Sequence, residues 1–117
     1  MIDIKDLPNS YQEDIKKAVK TLKENGATEI FIFGSIVNGN LNRNSDIDIA
    51  IEGNIDKKDK FNIVNEFDMI DMVYTMDIVF IEDITKKEFL DSILKEGINL
   101  WIDLFKEKMI MKMLLKD

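Results

Sequence analysis

At 117 residues the chain has room for one small domain with one core, and its 45% hydrophobic content is ordinary for a globular protein. It holds no cysteine and no histidine, which excludes disulfides, thiolate or imidazole metal sites and histidine general bases, so any metal is a hard cation held by oxygen. A formal charge of −7 argues against broad affinity for nucleic-acid backbone, which depends on basic residues displacing counterions.

The opening Met1-Ile2-Asp3-Ile4-Lys5-Asp6 lacks the cationic segment and apolar run of a secretory signal. No apolar stretch approaches the roughly 20 residues of a membrane span, so the expected location is cytoplasmic. Ile15, Ala18, Val19 and Leu22 recur at helical spacing after Pro8, with Ser10 and Glu13 suited to a capping box and Asn25-Gly26 as the stop. Residues 28–33 are short, β-branched and aromatic and read as a largely buried strand. Gly34-Ser35 then turns the chain into a short segment ending near Gly39-Asn40.

From Asp46 to Glu52, polar or small residues alternate with Ile47, Ile49 and Ile51, the period of a strand with one apolar face, which points Asp46 and Asp48 the same way. Gly53-Asn54 breaks it. Residues 57–73 read as mostly helical through Phe61, Val64, Phe67 or Asp68, Ile70 or Asp71, and Val73. Thr75 to Ile81 forms a third strand whose parity groups Asp77, Val79 and Ile81. Thr85 is suited to cap a helix with Phe89, Leu90, Ile93 and Leu94 on its apolar face and Gly97 at its stop. Ile98 to Trp101 adds a short strand or turn, and a last helix follows within 103–117, with Met109, Met111 and Met113 near its apolar face. With no repeat or linker, the natural packing is an α+β fold in which helices flank a mixed sheet of three or four strands.

Gly34-Ser35, ten intervening residues, Asp46-Ile47-Asp48 and then Asp77 is the constellation that carries chemistry. Glycine lets backbone approach a phosphate, and serine adds a hydroxyl near a helix start, where anions are favoured. Two aspartates at i and i+2 of one strand set carboxylates side by side, a costly arrangement unless a cation relieves it. Asp77, from a separate strand and flanked by Met76, Ile78 and Val79, would be expensive to bury unpaired.

These residues resemble the minimal nucleotidyltransferases (MNT domains) of the polymerase beta superfamily, over roughly residues 10 to 101. Gly34-Ser35 with Asp46-Ile47-Asp48 is the specific part; Asp77 and the run Lys95-Glu96-Gly97-Ile98-Asn99-Leu100-Trp101 support it. The resemblance implies a small nucleotidyltransferase fold in which Asp46, Asp48 and Asp77 are catalytic and bind two Mg²⁺ ions, or Mn²⁺. ATP is the implied substrate, and Asp77 the carboxylate that helps activate an acceptor hydroxyl. Gly34, Ser35, Asn38 and Arg43 are the candidate nucleotide contacts. Asn38 stands where relatives often carry arginine, leaving Arg43 as the nearby cation.

The resemblance further implies an antitoxin that moves AMP from ATP to a tyrosine hydroxyl of a HEPN-domain ribonuclease toxin. A contact-only antitoxin and a transferase for a small acceptor such as an aminoglycoside stay open. Bland readings stand beside these: Ser35 as a helix cap, Arg43 as a solvated loop residue, Trp101 as core, and Lys57-Lys58-Asp59-Lys60 as an exposed helix start. The methionine stripe suits core packing, a homodimer or a hetero-oligomeric partner surface.

Overall fold

The computed structural model describes residues 4–37 and 46–100. Its elements in chain order are α1 (Asn9–Glu24), β1 (Ala27–Phe33), β2 (Ile47–Gly53), α2 (Lys57–Met69), β3 (Met76–Phe80), α3 (Lys87–Glu96) and β4 (Ile98–Asn99), with 3-10 turns at Ile4–Asp6, Gly34–Ile36 and Ile81–Asp83. The four strands form one mixed sheet in the order β3-β2-β1-β4. β1 runs antiparallel to both β2 and β4, whereas β2 and β3 are parallel and joined through α2, the crossover that parallel neighbours require. This is the expected α+β architecture.

Alternation along the strands sorts side chains onto two unequal faces. Ile30 and Ile32 of β1 and Ile47, Ile49 and Ile51 of β2 are at most 1% exposed and join Ile15, Ala18, Val19 and Leu22 of α1 and Ile63 of α2 in the main core. Burying each isoleucine contributes about 1.5–3 kcal/mol relative to exposure, so this face anchors the molecule. The opposite face is thinly covered: Ile93 of α3 closes over Phe31 and Ala50, with Phe33, Ile81 and Ile84 beside them. Phe33, Asp48 and Asp77 therefore lie toward an open end of the second face.

Several local expectations change. Ser10 lies inside α1 and its Oγ pairs with the Tyr74 hydroxyl at 2.8 Å, so it forms no capping box with Glu13; the helix starts behind Pro8, whose carbonyl accepts the Tyr11 and Gln12 amides. A capping box does form at α2, where Asp56 accepts from the Asp59 amide at 2.8 Å and Asp59 accepts from the Asp56 amide at 3.2 Å. That helix ends at Met69 rather than near 73. It turns Ile63 and the half-buried Phe67, one turn apart, toward the core, leaving Phe61 67% and Val64 57% exposed. Thr85 does not cap α3, which begins after Lys86 without a side-chain cap. Of its anticipated apolar face only Ile93 is buried, because α3 meets the sheet through that residue alone among the fully enclosed ones. Gly97 does end the helix, in an extended rather than left-handed conformation; an added side chain there would meet the Ile93 and Ile32 carbonyl oxygens.

Candidate active site on the open face of the sheet

The period of β2 places the first candidate. Ile47 and Ile49 are drawn into the main core, which forces Asp48 onto the opposite face, with exposed Asp46 just before the strand. β3 lies parallel in register, pairing Ile47 with Met76 and Asp48 with Asp77. On the other side Phe33 of β1 pairs with Asp48. Asp77, Asp48 and Phe33 thus form a row across three strands. Asp77 is exposed rather than buried among its apolar neighbours, because β3 is an edge strand whose Met76, Ile78 and Phe80 pack toward the main core.

Gly34 closes the row. Its φ of +80° is one that other residues rarely adopt, and a Cβ built there would collide with Asp48 Oδ2. The turn that follows is tied by the Val37 amide donating to the Gly34 carbonyl at 3.1 Å and is held down by buried Ile36 and Val37, with Ser35 half-buried between. Glycine therefore permits both the sharp exit from β1 and the close approach of the carboxylate.

The electrostatics match this crowding. Burial raises the Asp48 carboxyl above its ordinary range, the negative charges of Asp77 and Asp46 raise it further, and a hydrogen bond with Asp77 adds to the shift. Among the described residues no lysine or arginine pairs with Asp48 or Asp77. The arrangement suits a hard divalent cation: all available donors are oxygens, two carboxylates face one another in register, and a third stands at the strand entrance. No group of three acidic or other metal-binding residues is preassembled among the described residues, so Asp46 is near the pair without completing a cage. Asn38 and Arg43 lie outside the described residues, as do Trp101, the methionine stripe and the segment 103–117.

A cavity of about 240 Å³ adjoins the turn, lined by Phe33, Gly34, Val37, Phe89, Ser92 and Glu96. Phe33 and Phe89 meet edge to face, with ring centroids 5.7 Å apart and planes at 72°. By the helical period Phe89 belongs to an apolar face, and that period assigns Ser92 no role. Their spacing with Glu96, three and then four residues along α3, was the available signal that they share one stripe.

Residues 13–103 match the polymerase beta nucleotidyltransferase family. The chain belongs to this family. No curated protein matches it. Among solved structures, this nucleotidyltransferase is similar to a toxin-antitoxin complex with AMP-PNP, at 26% identity, TM-score 0.58, and coverage of 85% of this chain and 86% of the other. It is similar in fold to a mutant MntA-HpeT toxin-antitoxin, at 24% identity, TM-score 0.57 and coverage of 85% and 86%. A third likeness is to a tri-AMPylated Shewanella oneidensis HEPN toxin in complex with its MNT antitoxin, at 22% identity, TM-score 0.55 and coverage of 88% and 86%. The neighbours of this family member thus include MNT antitoxins of HEPN/MNT pairs. No helix among its described residues is long and apolar enough to cross a membrane.

Proposed function

We propose that this nucleotidyltransferase is an antitoxin that transfers AMP from ATP to a tyrosine hydroxyl of a partner HEPN toxin, with Asp46, Asp48 and Asp77 as its catalytic carboxylates. The observation that carries the reading is the in-register Asp48 and Asp77 pair packed against the left-handed Gly34 on an open sheet face. Support for the nucleotide comes from the toxin-antitoxin complex with AMP-PNP at 26% identity, and for the acceptor from the tri-AMPylated HEPN toxin in complex with an MNT antitoxin.

In this reading Gly34 and Ser35 receive the triphosphate, whose negative charge is favoured near backbone amides at a turn. Asp46, Asp48 and Asp77 would hold Mg²⁺, which supplies charge neutralisation for the phosphates and for the carboxylates themselves. The acceptor oxygen forms a bond to the α-phosphorus as the bond from that phosphorus to the bridging oxygen of the β-phosphate breaks. Pyrophosphate leaves, and the hydroxyl proton passes to the exposed Asp77 carboxylate, which faces solvent where a partner protein can approach.

The test is to express the product of the adjacent reading frame, expected to be a HEPN-domain protein, and to incubate it with the chain, labelled ATP and Mg²⁺. Label is expected on a toxin tyrosine, with loss of its ribonuclease activity. Silencing without label would replace this reading with a contact-only antitoxin, and label on a small acceptor alone would replace it with a small-molecule transferase.

A further inference from the structure

We infer that the outer edge of β3 is where the acceptor docks: a strand-forming segment of the partner protein pairs antiparallel with Met76–Phe80 and brings its tyrosine in beside Asp77. This rests on the transfer reading above.

The ladder defines the edge. The Ile47 amide donates to the Thr75 carbonyl at 2.9 Å, and β2 and β3 stay in register without a bulge from the Ile47 and Met76 pair to the Ile51 and Phe80 pair. Alternation then turns the backbone groups of Thr75, Asp77 and Val79 inward to β2 and those of Met76, Ile78 and Phe80 outward. β3 ends the sheet, and among the described residues no backbone group pairs with that outer row. Exposed edges are commonly blunted by lysine, proline or a bulge; this one has none of them, and its five residues are an ordinary strand length. The opposite edge, β4, is two residues long and lies beyond Phe33, away from Asp77.

The row of side chains points to the occupant. Phe33, Asp48 and Asp77 stand opposite one another on three strands, with the Gly34-Ser35 turn at the Phe33 end. In-line displacement sets the attacking oxygen opposite the departing pyrophosphate, so with the phosphates on that turn the acceptor comes in over β3. The next place in the row belongs to a strand added at that edge. Because the Asp77 amide and carbonyl face β2, the added residue opposite Asp77 forms a non-hydrogen-bonded antiparallel pair. That is the closer kind, with α-carbons about 4.5 Å apart and both side chains on one face. A tyrosine at this place shares the face of the carboxylate that takes its proton. Met69 and Val73, which are 86% and 72% exposed in the stretch leading into β3, favour a protein over a small acceptor, since they offer apolar contact beside the edge. Backbone pairing of this kind supplies affinity, and alternate side chains supply the selection.

Residue-resolved amide hydrogen exchange by NMR tests this on the full chain in Mg²⁺, with and without the product of the adjacent reading frame. The Met76, Ile78 and Phe80 amides are expected to exchange freely in the isolated chain and to slow about tenfold or more in the complex, the scale of one added hydrogen bond. Asp77 and Val79, already bonded to β2, should be slow in both. Ile78→Pro removes one outward N–H, a change an edge strand tolerates, and leaves the ladder to β2 intact. Label on the toxin tyrosine should then fall about tenfold with calorimetric ATP affinity unchanged. Ile78→Val keeps the N–H and should label as wild type does. A toxin that binds and is labelled without slowing these three amides would overturn the docking edge and spare the transfer reading, as would full labelling by Ile78→Pro. Slowing at the edge with no label would support the docking edge and remove the transfer reading. A product neither bound nor labelled would remove both. If Ile78→Pro melts below the assay temperature, the exchange measurement on the wild type decides.

Discussion

The carboxylate of Asp48 occupies the space in which a side chain at Gly34 would stand. Gly34→Ala therefore meets two obstacles: a left-handed φ that costs an L-residue about 1–2 kcal/mol, and a methyl group that displaces Asp48. Stability is expected to fall by the first amount, a melting shift of about 4–8 °C for each kcal/mol in a domain near this size. Transfer should fall much further, because the second obstacle moves the carboxylate proposed as catalytic. Calorimetry beside a transfer assay checks this, and a variant that melts earlier yet transfers AMP at the wild-type rate would contradict it.

The strands and the carboxylates were legible because each rests on a short-range pattern. Alternation of Ile47, Ile49 and Ile51 with Asp46 and Asp48 assigned both face and element, and the parity of Asp77 with Val79 was equally local. What escaped depends on partners distant in sequence. Ser10 looked like a cap, but its hydroxyl is taken by Tyr74. Phe61 and Val64 fit a helical period as well as Ile63 and Phe67 do, and only the position of the sheet decides which pair is buried. The cavity beside Gly34 needed the α3 crossing over β1 and could not be read from spacing alone.

Asp48 also sets a pH dependence. Its folded carboxyl is raised, chiefly by burial and then by Asp77 and Asp46, so the folded state holds a proton that the unfolded chain has released. That contribution to stability is fully present below the ordinary aspartate pKa and is lost as pH rises through the raised value. Asp48→Asn removes the loss. Without metal, the variant should melt above wild type at pH 7, and the gap should shrink as pH falls below the usual aspartate range. A gap that widens toward acid would show that Asp48 is stabilised as the anion.

The same crowding predicts a response to divalent ions. A cation that binds the folded carboxylates raises stability by mass action, by about 2.7 kcal/mol at a hundred times its Kd. Mg²⁺ or Mn²⁺ should raise the wild-type melting temperature, ATP should add to the shift, and Asp77→Asn should reduce it. A wild type whose melting is indifferent to millimolar metal with ATP present would argue against a metal-dependent nucleotide site.

Asp14 carries the last prediction, because it ties the main core to the strand that bears Asp77. It is 1% exposed on α1, and its carboxylate accepts the Val73 amide at 3.3 Å and the Tyr74 amide at 2.8 Å. Tyr74 stacks on Tyr11 with ring centroids 3.7 Å apart and pairs with Ser10. The segment entering β3 is thus fixed three residues before Asp77, which sets where that carboxylate meets Asp48. Asp14→Asn keeps the size but offers one accepting oxygen for two amides, leaving one donor unmatched at about 1–3 kcal/mol. Ile15→Val, the next residue on the same helix and also in the core, costs a similar amount of about 0.5–1.5 kcal/mol without touching the β3 entry. Measured well below both melting points, AMP transfer should fall in Asp14→Asn and stay at the wild-type rate in Ile15→Val. Equal rates in the two variants would mean that Asp14 stabilises the fold without positioning the site.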